Sequence, residues 1–216
     1  MKEEKALRAE FDAAVAHVGR CVLAFPWERR DAYAEWLAQT FRLVSHTSTL
    51  IALTAGKLGV QAPERHRELL AHLREETGHE LFARRDLEAL GETLEAHPEL
   101  VATSVLYQAQ YYRIERTPPL GLFGYALLLE GVASRVGPTL CERVQRAHGK
   151  KACTFLDLHA RADTTHYPEG IRWVEGFDPS ARESVLANLR QSVELYPAML
   201  DAVVATLGDE TRLKVA

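Results

Sequence analysis

The stretch HARADTTH, residues 159–166, places His159, Asp163 and His166 at positions i, i+4 and i+7. With about 3.6 residues to a helical turn, these offsets return to nearly one face, so two imidazoles and a carboxylate project together. That mixture of ligands suits a divalent first-row metal such as iron. A solvated helix face with two incidental histidines would produce the same octapeptide. The rest of the chain discriminates between the two readings.

Working outward, every segment reads as helix. Ala, Leu, Glu and Arg dominate, and no stretch sustains the alternation of a strand. A first helix is expected from about Lys2 to Leu23, with Leu7, Phe11, Ala14, Val15, Val18 and Val22 on one side, ended by Phe25-Pro26-Trp27. A long second helix is expected from about Arg29 to Leu58, apolar on more than one face and therefore central. Ala62-Pro63-Glu64 opens a third that stops at Gly91, and His97-Pro98-Glu99 opens a fourth that ends at Pro118-Pro119. The fifth runs from near Leu120 to Gly149, and Gly137-Pro138 should kink or break it. The sixth carries HARADTTH and ends by Tyr167-Pro168-Glu169-Gly170. Asp178-Pro179-Ser180 opens the last, where Pro197 is a second kink candidate. The expectation is a single all-α domain over residues 1–216, a helical bundle of about seven helices.

Composition narrows the function classes. Hydrophobic residues make up 47% and charged residues 26% of the chain, and the net charge is −4 without a long run of one sign. That argues against a nucleic-acid stripe or a polybasic membrane patch. No stretch approaches 18 uncharged apolar residues, so no membrane span is expected, and MKEEKALRAEFDAAV is too charged for a secretory signal. Cys21, Cys141 and Cys153 are odd in number and far apart, which fits a reduced, cytoplasmic protein better than a disulfide scaffold. No CxxC pair exists for zinc, and no phosphate-cradling glycine loop or GxSxG motif is present.

Two further features complete a constellation with HARADTTH. In EETGHE, residues 75–80, Glu76 and His79 stand at i and i+3, the Glu-x-x-His arrangement by which bundles present metal ligands inward. Glu75 is a geometric rival to Glu76, and His72, seven before His79, is a weaker one. In YALLLEGVA, Glu130 follows apolar residues that cover every direction around the helix. A carboxylate there must face solvent, be paired, or bind metal, because burying it alone is costly. Glu76, His79, Glu130, His159, Asp163 and His166 together offer three histidines and three carboxylates, enough for two metal ions, with Glu130 the candidate to be shared. Iron suits these ligands, and manganese suits them too. His46, Tyr107, Tyr111 and Tyr112 could line a pocket, although aromatics at helical spacing usually belong to the core and a hydrogen-bonded core histidine fits His46 equally; Trp36 and Phe41 read as the tyrosines do. His17, His66, His97 and His148 are expected at the surface.

At this point the residues resemble a known family, the haem-oxygenase-like diiron oxidases and oxygenases, whose wider fold includes TenA-type thiaminases and the PqqC oxidase. The resemblance spans about residues 30–170. EETGHE followed by Asp86-Leu87-Glu88-Ala89-Leu90-Gly91 resembles the family's third core helix. Pro119 to Glu130 resembles the helix that supplies a bridging carboxylate, and FLDLHARADTTH resembles its H-x3-D-x2-H segment. The resemblance implies Glu76, His79, Glu130, His159, Asp163 and His166 as ligands of two iron ions.

The resemblance also implies dioxygen activation and oxidation of a small amine, amino-acid-derived or fatty-acid-like substrate, by N-oxygenation, oxidative C–C cleavage or desaturation. Expected partners are that substrate and dioxygen, with electrons from the substrate or an external reductant, since no cofactor domain is added. A homodimer is compatible with such bundles, and neither nucleic acid nor membrane is expected. Two rival readings stand beside this one: a metal-independent TenA- or PqqC-like enzyme, and a non-enzymatic helical interaction or metal-binding protein.

Overall fold

The structure, a computed structural model, describes residues 2–208, and every regular element among them is helical. Helix α1 covers Lys2–Ala24, α2 Arg30–Val44, α3 Thr47–Leu58, α4 Pro63–Glu76, α5 Glu80–Ala89, α6 Val101–Arg116, α7 Leu122–His148, α8 Thr154–Glu175 and α9 Pro179–Thr206. These are the seven expected segments with two of them interrupted. The second breaks at Ser45-His46, between α2 and α3. The third breaks at Thr77-Gly78-His79, where Thr77 is extended and Gly78 takes φ of 93°. That left-handed conformation is open to glycine and costly for other residues, so the chain turns there between α4 and α5.

The prolines do not end their helices. Pro138 lies inside α7, Pro168 inside α8 and Pro197 inside α9. α8 therefore runs on to Glu175 instead of ending near Tyr167. Each proline removes a helical hydrogen bond, at about 3 kcal/mol, but these helices are held by packing along their length more than by local propensity. Helix α9 starts as the sequence suggests: Asp178 accepts hydrogen bonds from the backbone N–H of Ser180 at 2.9 Å and of Ala181 at 3.0 Å.

The predicted face of α1, from Leu7 through Phe11, Val15 and Val18 to Val22, is buried in one continuous core that also holds Trp27, Tyr33, Leu37, Leu127, Leu128, Leu189 and Met199. Burying each such side chain contributes about 1.5–3 kcal/mol. Helix α7 runs through the middle, packed on α1, α8 and α9. The stretch Pro119–His148 is long and apolar enough by composition to cross a membrane, but 56% of its apolar window is buried within this protein, as befits a core helix. Close approach depends on absent side chains: a Cβ at Gly137 would lie 2.8 Å from Ala160 Cβ of α8. At Gly124 a Cβ would meet the backbone of α9. The Gly137–Ala160 contact holds α8 against the helix that carries Glu130.

Three of the four histidines expected at the surface are half-buried and hydrogen-bonded. His97 Nδ1 lies 2.8 Å from Glu35 Oε2, His66 Nδ1 2.8 Å from the Ala55 carbonyl, and His148 Nε2 2.7 Å from the Trp27 carbonyl. Each fastens two separate segments, which a chain scan for exposed-looking histidines does not register. His17 is exposed.

Candidate metal centre

The centre begins with the start of α8. Asp86 of α5 is fully buried and accepts hydrogen bonds from Thr154 N (2.9 Å), Thr154 Oγ1 (2.6 Å) and Phe155 N (2.8 Å). The first N–H groups of a helix lack partners of their own, so a carboxylate from a second helix caps α8 and fixes its position. Burial nevertheless raises the Asp86 pKa, against the pull of its donors at Thr154 and Phe155.

From that anchor α8 sends His159, Asp163 and His166 inward. His159 Nδ1 donates to the Phe155 carbonyl at 2.9 Å. A carbonyl only accepts, so Nδ1 carries the proton and the Nε2 lone pair is left for a metal. Asp163 is buried, with Oδ1 3.6 Å from His166 Nδ1. Opposite lie the end of α4 and the start of α5. Glu76 is the last residue of α4 and His79 precedes α5, with His79 Nδ1 3.2 Å from Glu76 Oε2. The two are brought together by the break at Gly78 and not by one helical turn, as the sequence suggested.

The described residues contain two groups of three side chains whose ligand atoms lie within 4.8 Å of one another: His72, Glu76 and His166, and Glu76, His79 and His159. The pairing is visible in the rings as well, with His72 and His166 centroids 5.5 Å apart and His79 and His159 centroids 5.2 Å apart. Glu76 belongs to both groups, so the geometry makes it the carboxylate that two ions could share. Glu130 stands beside the first group, its Oε1 3.8 Å from His72 Nε2. Glu75, the rival to Glu76, is exposed at the rim, 3.6 Å from His166 Nε2. His72, rated the weaker candidate from its spacing alone, sits within the centre.

The electrostatics are those of a site built for cations. Burial drives the Glu130 pKa well up, helped by the charge of Asp163 and opposed by His166; the little surface that Glu130 keeps opens into a cavity. Burial would also raise Glu76, but the close approach of His79 and the surrounding imidazoles hold its pKa below the usual carboxylate range. His166 is pushed up to about 9, chiefly by Asp163 against the effect of burial. Glu76 raises His79, and burial lowers His72. His79 Nδ1 and His166 Nδ1 are buried without a well-formed hydrogen bond, although each faces a carboxylate. Carboxylates and imidazoles crowded in this way fit one or two divalent ions, which would satisfy both kinds of atom at once.

The centre forms part of the wall of a cavity of about 390 Å³, within the range of small-molecule sites. His72, Glu76, Glu130, His159, Asp163 and His166 border it, and the remaining wall is mostly aliphatic and aromatic. Trp36 is part of that wall; Phe41, His46, Tyr107, Tyr111 and Tyr112 are not. His46 instead stacks on Tyr107, ring centroids 3.7 Å apart, with Nδ1 2.8 Å from the Tyr111 hydroxyl. Cys141 and Cys153 are buried and Cys21 half-buried, all three as free thiols outside the cavity wall.

The sequence profile of the iron-containing redox enzymes, a haem-oxygenase-like group, matches residues 34–197. The chain belongs to this family. The matched region runs from α2 into α9 and contains every residue of the centre. No curated protein matches the chain by sequence. Among solved structures, a domain of unknown function with a haem-oxygenase-like fold from Shewanella denitrificans superposes with a TM-score of 0.80 at 20% identity, covering 100% of this chain and 97% of its own. A TenA homologue from Pseudomonas syringae pv. tomato gives 0.74 at 16% identity over 93% and 92%. A CADD-like protein of unknown function from Nostoc punctiforme gives 0.73 at 17% identity over 95% and 99%. These likenesses establish the haem-oxygenase-like fold for this member of the iron-containing redox enzymes.

Proposed function

We propose that the protein is a dioxygen-dependent oxidase or oxygenase with two iron ions held by Glu76, His79, Glu130, His159, Asp163 and His166, and with His72 as an added ligand. The observation that carries this reading is the pair of histidine–carboxylate groups sharing Glu76 on the wall of a mainly apolar cavity. Iron bound there supplies the activation of dioxygen, and manganese suits the same donors. The chain's own residues do the rest. The Phe155 carbonyl holds His159 with Nε2 outward, and Asp163 orients His166. Burial raises the Glu130 pKa, and a cation bound beside it would favour its ionised form. The apolar wall keeps water from the reacting centre and holds a small organic substrate beside it. Such a substrate would undergo N-oxygenation, oxidative C–C cleavage or desaturation, with electrons from itself or from an external reductant. The three free thiols fit a protein working in the reducing cytoplasm.

Anaerobic Fe(II) titration of the purified chain, followed by stopped-flow mixing with dioxygen, tests the proposal. Close to two iron ions per chain and a transient visible band, both lost in His159→Ala and Glu130→Ala, are expected. A folded protein that takes up neither iron nor manganese would overturn it and leave the metal-independent reading.

A further inference from the structure

The cavity wall beyond the ligands carries its own chemistry. Among the described residues that line it there is no lysine or arginine. A free amino acid would bring a carboxylate that finds no cation in the wall away from the metal ligands, and leaving a buried charge unpaired is costly. Most of the wall is hydrocarbon, including Leu43, Leu50, Leu127, Leu129, Val132 and Phe155.

Thr40, Thr47, Glu68, Glu169 and two phenols interrupt it. Tyr125 of α7 and Tyr196 of α9 both line the cavity, and their hydroxyls have no hydrogen-bond partner of normal length among the described residues. Burial pushes the Tyr196 pKa up to about 12 and that of Tyr125 further, so both hydroxyls keep their protons and can donate. Trp36, 3% exposed, has an indole N–H with no hydrogen-bond partner, and its side chain lies beside the Tyr196 hydroxyl. α2 and α9, which carry Trp36 and Tyr196, supply none of the ligands. Tyr125 precedes Glu130 by five residues, roughly 7.5 Å along the helix axis.

We propose that the cavity selects a mainly hydrocarbon molecule with a neutral hydrogen-bond acceptor, such as a hydroxyl, ester or amide oxygen, held by the Tyr196 and Tyr125 hydroxyls. Trp36 is a positioning residue for Tyr196. Buried donors left unpaired discriminate strongly against analogues that lack the acceptor. The hydrocarbon body supplies affinity, and the two phenols set orientation. That this molecule is the substrate rests on the oxygenase reading above; that the cavity binds it does not.

The test is calorimetric titration of the full chain, iron-free and again loaded anaerobically with Fe(II), using primary alcohols of four to ten carbons, 1-chloroalkanes of matched length, and lysine and arginine. Affinity for the alcohols should rise about fourfold per methylene until the cavity is filled. Tyr196→Phe should weaken alcohol binding roughly three- to tenfold and leave chloroalkane binding unchanged. Tyr125→Phe provides the same comparison should the first variant fold poorly, and Trp36→Phe should give a smaller loss of the same kind. Tighter binding of lysine or arginine than of the alcohols, no dependence on chain length, or equal losses for alcohols and chloroalkanes in the phenylalanine variants would overturn the inference. Because the iron-free titration needs no metal, its failure is distinguishable from failure of the chain to bind iron.

Discussion

Gly78→Ala separates two pictures of the ligand-bearing segment by the sign of one free energy. In an unbroken helix over residues 62–91, Gly78 would be an interior glycine, and alanine would stabilise the protein by about 1 kcal/mol. In the structure Gly78 has φ of 93° at the turn between α4 and α5. An alanine Cβ there would meet nothing within 4 Å, so no clash enters and the effect is backbone strain alone. Holding a non-glycine residue in the left-handed region costs about 1–2 kcal/mol. The lower conformational entropy of the unfolded alanine chain offsets about 0.4–1 kcal/mol of that strain, so the net expectation is a destabilisation of roughly 1 kcal/mol. For a chain of this size that corresponds to a melting temperature lower by roughly 2–4 °C. Urea unfolding should show a lower midpoint at an unchanged slope. A variant more stable than the parent would refute the break and the placement of His79 that depends on it. The same variant should bind iron more weakly, because His79 reaches Glu76 and His159 through this turn.

Asp86→Ala should destabilise the protein by about 2–4 kcal/mol in urea unfolding, since it strands two backbone N–H groups and the Thr154 hydroxyl at a buried helix start; a loss below 0.5 kcal/mol would contradict the capping role. Its iron affinity should fall as well, because α8 carries three of the ligands. Iron uptake should weaken as pH is lowered from 8.5 to 6.5, by up to roughly tenfold per pH unit for each proton displaced, because His166 holds its proton up to about 9; calorimetry in buffers of different ionisation enthalpy counts those protons, and pH-independent binding would argue against His166 as a ligand. Arg143 holds the Glu28 carboxyl down to about 2, with burial opposing it slightly. The stabilisation from that pair is complete above the ordinary carboxylate pKa and disappears as pH falls toward 2. Being largely exposed, the pair is worth about 0.5 kcal/mol, seen as a slightly shallower acid-unfolding curve in Glu28→Gln.

The sequence displayed the bundle because its signals are local. The apolar face of α1 and the Asp178-Pro179-Ser180 start of α9 follow from spacing and capping, and the structure keeps both. Its errors arose where tertiary packing outweighs local cost. Pro138 and Pro168 looked like breakers, yet α7 and α8 pass through them, with Gly137 against Ala160 to bring the two helices together. Conversely, the expected third helix passes straight through the glycine of EETGHE, whose backbone angle ends α4 instead.

The same distinction between spacing and angle governs the centre. HARADTTH was legible because three ligands on one helix share a face by arithmetic. The partners on α4 and α5 were only half legible, since a turn at Gly78 changes which residues converge. His72 and Glu76 lie on one face of α4, four residues apart, and the turn then returns His79 to Glu76 from a different helix. Glu76 thus gains a histidine pair on each side, His72 with His166 and His79 with His159, and it becomes the common member. Glu130 was found from the opposite kind of signal, an acid amid apolar residues that must be explained by something beyond its own helix. Asp86, Tyr125 and Tyr196 carry no spacing signal, because their roles exist only through residues distant in the chain. Their contribution lies in capping and orientation, which is why the ligands could be proposed from sequence while the groups that position the ligands and the bound molecule required the fold.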